Sequence, residues 1–238
     1  MKISEEIKNL KTNSDKKCNL AILYTTIVLF IYCYFGSFSF FEQTFVVDNL
    51  HYWKIIYHNF MAFILFFVIG LIYTKIAMKS KAKDFGLKIG DGKLGIIIIG
   101  IATLIIPLLA LTTVLDKGMV STYPLIDFAV CNWWQITLYF ISYIAYYIGW
   151  EYLFRGIALH GTIEKLGPMG AILITTMISA LIHTSIGGFG KPMIETLSAI
   201  PAGLIFGYIS YRTKSINYSL YAHALIGILT DIFIFFIV

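Results

Sequence analysis

GWEYLFRG, residues 149–156, sets a carboxylate and a guanidinium inside an otherwise apolar stretch of the chain. An ionisable side chain within a membrane span costs roughly 2.5–3.5 kcal/mol on insertion scales, so such groups face a cavity or one another. Glu151 and Arg155 stand four residues apart, on one face of a helix, where they can pair. Tyr143 and Tyr147 continue the same stripe. The pair reads either as a structural lock between helices or as part of a polar site within a membrane.

The composition around this stretch supports the membrane setting. The chain has 238 residues, 58% hydrophobic and 13% charged, with a mean hydropathy of +0.80. A soluble domain could not hide that much apolar surface, so the expected class is an all-α, polytopic transmembrane helical bundle. A span needs about 20 apolar residues. Leu20–Phe41, Ile55–Thr74 and Leu94–Leu115 meet that need, with His58 near the start of the second and Pro107 as a kink in the third. A fourth helix runs from Asn132 toward Leu166. A fifth starts near Pro168 and includes His183, a sixth covers Glu195–Tyr211, and a seventh Ile216–Val238. This gives about seven spans, with room for an eighth helix. Three parts follow: a basic N-terminus (1–19), three spans with a basic loop at 75–93 (20–115), and a core of about four helices (132–238).

Charge sets the orientation. The net charge is +5, with Lys2, Lys8, Lys11, Lys16 and Lys17 at the start and six lysines from Lys75 to Lys93. These flank apolar segments and read as topology signals, not as a nucleic-acid surface. They place the N-terminus, the 75–93 loop, the 160–167 turn and Arg212–Lys214 in the cytosol. Seven spans then leave the C-terminus outside. No small-residue cleavage site follows the first apolar run, so it is expected to be retained. Cys18, Cys33 and Cys131 match no zinc or redox spacing.

The ionisable groups within the spans are Glu151, Arg155, His183, Glu195, His223 and Asp231. Glu195 can equally sit in a first helical turn, where negative charge is favoured. Asp231 lies amid Ile and Phe and needs a partner or a proton. At about 1.5 Å per residue, Glu151, His183 and Asp231 each lie about 22 Å from a cytosolic turn, and His223 about 12 Å lower than Asp231. A carboxylate beside a histidine can activate water as a general base, and a further donor can stabilise the resulting oxyanion. That is a minimal kit for peptide hydrolysis without a covalent nucleophile. A metal site is the other reading of His with carboxylates, but no HExxH occurs.

WEYLFRG, the SALIH stretch and YAHALIG resemble, in order and spacing, the three motifs of the CPBP family, also called Abi, the CAAX-protease-and-bacteriocin-processing membrane proteins. The family pattern is Glu-Glu-x-x-x-Arg, then Phe-x-x-x-His, then His-x-x-x-Asn. The resemblance covers about Asn132–Val238. It implies an intramembrane endopeptidase acting on a membrane-associated peptide or protein, without cofactor, in a bacterial cell membrane. Its first Glu and first His would activate water, and its second His and Asn would bind the oxyanion. Glu151 matches the second glutamate, Arg155 the arginine, His183 the first histidine and His223 the second. Trp150 stands at the first glutamate, Ser179 at the phenylalanine and Gly227 at the asparagine. Three substitutes are available: Glu151 itself, Glu195 from the next helix, and Asp231 for the missing asparagine. A joint Glu151–His183–Glu195 site, with GGFGKP turning tightly near His183, is the favoured arrangement. The alternative is a catalytically silent relative, acting in bacteriocin self-immunity or as a membrane scaffold. A transporter is disfavoured, because no inverted repeat is evident.

Overall fold

The computed structural model describes residues 13–184 and 190–238. Its elements are helices: α1 (Asn13–Phe35), the short α2 (Phe38–Thr44), α3 (Leu50–Ile76), α4 (Gly92–Leu115), the short α5 (Lys117–Thr122), α6 (133–166), α7 (168–183), α8 (Met193–Thr213) and α9 (Asn217–Ile237). Among the described residues, six helical stretches are long and apolar enough to cross a membrane. The longest, Trp133–His183, is broken at Gly167 (φ 70°, ψ 167°), a left-handed φ that suits glycine. His183 lies beside Trp150, ring centroids 5.7 Å apart. Trp150 lies 17 residues before Gly167 and His183 lies 16 after it, so α6 and α7 form an antiparallel hairpin. Seven long segments result, in an all-α bundle.

Local sequence explains the ends. Asn132 and Gln135 form a reciprocal capping box at the start of α6. Asp91 accepts from the Leu94 amide to begin α4. The first span is shifted from its apolar run: α1 begins at Asn13 and stops at Phe35, and the chain restarts at Phe38 with Ser37 as cap. α4 continues through Pro107. Gly149 and Gly156 serve close packing. A Cβ at Gly149 would meet the Ala62 carbonyl at 2.7 Å, so α6 and α3 touch backbone to backbone. Gly203 likewise lies against Thr176, joining α8 to α7.

The largest core knits the N-terminal helices to the α6–α7 hairpin: Tyr24, Tyr32, Phe66, Trp150, Phe154 and Ile157 are all buried in it. Leu104 (75% exposed), Leu108 and Ile96 point outward instead. Apolar exposure on this scale fits a hydrocarbon surround, and the chain is an integral membrane protein. The basic segments gather at one end. There Asp91 donates its amide to the Thr213 carbonyl (2.8 Å), Ile216 to Gly86 (3.0 Å), and Lys17 pairs with Glu164 (3.2 Å). The 51–52 and 123–135 segments meet at the other end, through His51 and the Leu125 carbonyl and through Tyr52 and the Gln135 carbonyl. Lys2, Lys8 and Lys11 lie outside the described residues.

Candidate active site

α6 and α9 run antiparallel, and the residues that meet are one or two turns apart along each helix, spacings that keep side chains on one face. Glu151 meets His223, Tyr147 meets Gly227 one turn on, and Tyr139, two further turns along α6, donates its hydroxyl to Asp231, one further turn along α9. The middle step has no side chain on α9. The Tyr147 hydroxyl fills that space and would collide with any Cβ at 227. Gly227→Ala is therefore expected to cost about 1–3 kcal/mol through overpacking, read as a lowered unfolding midpoint in detergent, with Tyr147→Phe/Gly227→Ala recovering part of it.

At the deepest step the His223 ring lies 2.7 Å, Nδ1 to Oε1, from Glu151. With Nδ1–H donated to the carboxylate, Nε2 is the ring's acceptor nitrogen. Glu151 is fully buried, and the Arg155 guanidinium supports it from 3.5 Å. Arg155 sits within the π-helical turn 152–158, where the widened helix is itself buried. Its guanidinium lies near the faces of Phe154 and Phe206, 5.9 and 5.7 Å from their centroids. The carboxylate thus has one cation and one imidazole, a geometry that holds a buried charge in place.

His223 is 18% exposed and lines a cavity of about 240 Å³. His183, Glu195, Tyr143 and Tyr147 share its wall, with His58 and Asn59 from α3. His183 donates Nδ1–H to the Ser179 carbonyl at 2.6 Å, which makes Nε2 its acceptor, and its ring stands edge-on to Trp150. Glu195 accepts from the Tyr123 hydroxyl through both oxygens, at 2.8 and 3.0 Å, with Lys191 Nζ 3.6 Å from Oε1. Burial, aided by the Glu195 carboxylate, pushes the Tyr123 phenol well above its ordinary range, so it stays a donor. α8 begins at Pro192 without a side-chain cap, and the Glu195 carboxylate points to Tyr123 and Lys191 rather than to a backbone amide.

Of the residues singled out from sequence, Glu151, Arg155 and His223 come together, and His183 and Glu195 face the same cavity as His223. Glu151 backs His223 and is not part of the cavity wall. Asp231 lies two turns away with Tyr139. Counting depth from a common cytosolic plane therefore misplaces two residues: His223, not Asp231, is level with Glu151. The bundle's basic end is staggered. His160 and Ile216 both approach Gly86, so the tip of the α6–α7 hairpin extends beyond the start of α9. The positions of the replaced motif residues are filled: Trp150 is 1% exposed and stacked on Tyr146. Gly187, Gly188 and Phe189 of GGFGKP lie outside the described residues.

Sequence reasoning passed over His58, Asn59, Tyr123 and Lys191. His58 carried a signal, a histidine within an apolar span. Here Tyr32 donates to its Nε2 (2.8 Å), while its Nδ1 donates to the Gly36 carbonyl (2.7 Å). Among the described residues, no three His, Cys, Asp or Glu side chains converge as a metal-holding set.

Residues 132–229 match the family model described as Rce1-like, type II CAAX prenyl endopeptidase. The match starts at the α6 cap and ends within α9, so it spans the cavity helices α6, α7, α8 and α9 but not α1, α3 or the short α2 and α5. No curated protein and no solved structure matches the chain.

Proposed function

Taking residues 132–229 as an Rce1-like, type II CAAX prenyl endopeptidase segment, we propose that the chain is an intramembrane endopeptidase that cuts a membrane-proximal peptide. One observation carries this reading: the Glu151–His223 pair at 2.7 Å, with His223 on the cavity wall. A buried carboxylate that accepts Nδ1–H fixes the tautomer, aims Nε2 and stabilises the imidazolium. His223 would take a proton from water as the water oxygen attacks the scissile carbonyl, then return it to the departing amine. Glu151 is the positioning carboxylate, and Arg155 is its buried counter-charge. His183 and Glu195, on the same wall, would orient substrate and water. This arrangement dispenses with a glutamate at position 150.

The second reading is a catalytically silent member that binds a membrane partner, in bacteriocin self-immunity or as a scaffold. It draws on the Trp150 indole packed beside His183, since indole cannot take a proton from water. Under either reading the basic end, including the N-terminus, faces the cytosol of a bacterial cell membrane.

Purified protein in lipid nanodiscs, offered membrane-tethered peptides, separates the two. The peptidase reading predicts cleavage that incorporates ¹⁸O from labelled water into the new carboxylate and is lost in both Glu151→Gln and His223→Ala. Peptide capture without cleavage by the wild type would establish the silent reading instead.

A further inference from the structure

Water attack beside His223 leaves negative charge on the former carbonyl oxygen, and the site needs a donor there. The cavity wall carries two tyrosine hydroxyls near this part of α9, Tyr143 and Tyr147. Tyr147 lies one turn above Glu151 on the same face of α6, and its ring packs 4.7 Å from the His223 ring. Its hydroxyl is lodged over Gly227, one turn from His223 on α9, with the Tyr143 hydroxyl close to the same point. The absence of a side chain at 227 is what admits the phenol.

We infer that Tyr147 is a catalytic residue: its hydroxyl donates to the oxyanion of the tetrahedral intermediate, and Gly227 is the vacancy that lets it reach. This rests on the peptidase reading. His223 Nε2 accepts one proton from water, and the water oxygen bonds to the carbonyl carbon. The carbonyl π pair moves to oxygen, which Tyr147 O–H stabilises without transferring its proton. The pair then returns, the C–N bond breaks, and the imidazolium protonates the amine.

Tyr147→Phe keeps the ring and removes the donor. Its kcat is expected to fall about 10²-fold, in line with the loss of one oxyanion donor, while KM stays within about twofold. A thionopeptide, whose sulfur accepts hydrogen bonds poorly, should slow the wild type markedly and the variant little. Should Tyr147→Phe fail to fold, 3,5-difluorotyrosine at 147 retains the ring and strengthens the hydroxyl as a donor, and kcat should change while KM stays within about twofold. Unchanged kcat in Tyr147→Phe, an equal thiono penalty in both proteins, or an unchanged kcat in the difluoro variant would overturn the inference while leaving the peptidase reading intact. Absence of cleavage by the wild type would overturn both.

Discussion

Glu151→Ala is expected to lose about 3–5 kcal/mol of folding stability, the scale of removing one partner from a buried ion pair. The carboxylate is fully buried. Without it, the Arg155 guanidinium stays between Phe154 and Phe206 with its counter-charge gone. The His223 Nδ1–H also loses its acceptor. Water cannot readily replace either partner at this depth, so the desolvation penalty of the cation is left uncompensated. Unfolding titrations in mixed micelles would read the loss. Adding Arg155→Leu to Glu151→Ala should recover much of it, because the apolar pair no longer carries a stranded charge. A double variant less stable than Glu151→Ala would show that the guanidinium stabilises the bundle by packing rather than through the carboxylate.

His223→Ala is expected to reduce kcat for peptide cleavage by about 10²–10⁴, the usual range for a general acid–base group, with a smaller effect on stability. The ring is partly exposed to the cavity, and its removal leaves Arg155 still facing Glu151. Circular dichroism and the unfolding midpoint should stay near wild type while turnover collapses. Glu195→Gln is the comparison. Its carboxylate is already engaged by Tyr123 and Lys191, so an orienting role predicts a loss well below that of His223→Ala. Full activity in Glu195→Gln would remove Glu195 from the site. A loss equal to that of His223→Ala would make it the base.

The helices and their reversals were readable because apolar length, caps and lysine runs are local signals. Asn132 and Gln135 announce the start of α6, and Gly167 with Pro168 marks its end. The Glu151–Arg155 pairing was readable too, since four-residue spacing is enough to predict it. The partnership of Glu151 with His223 was not. It depends on the stagger between α6 and α9, which the Gly86 loop sets by packing against both His160 and Ile216. No pattern within either helix encodes that offset. Lys191 stands four residues before Glu195, the same local spacing, and went unread because Lys191 precedes the helix rather than lying in it. Tyr123 escaped for a reason related to that of His223: it reaches Glu195 from a segment 72 residues away. Gly227 looked like a missing side chain, and only the position of the Tyr147 hydroxyl shows what the small residue makes room for.

The most direct test is a double-mutant cycle on kcat with Glu151→Gln, His223→Ala and the combined variant, using one membrane-tethered peptide. If Glu151 works only by holding His223, the combined variant should turn over no more slowly than His223→Ala alone. Losses that multiply, or undiminished cleavage by His223→Ala, would contradict the account.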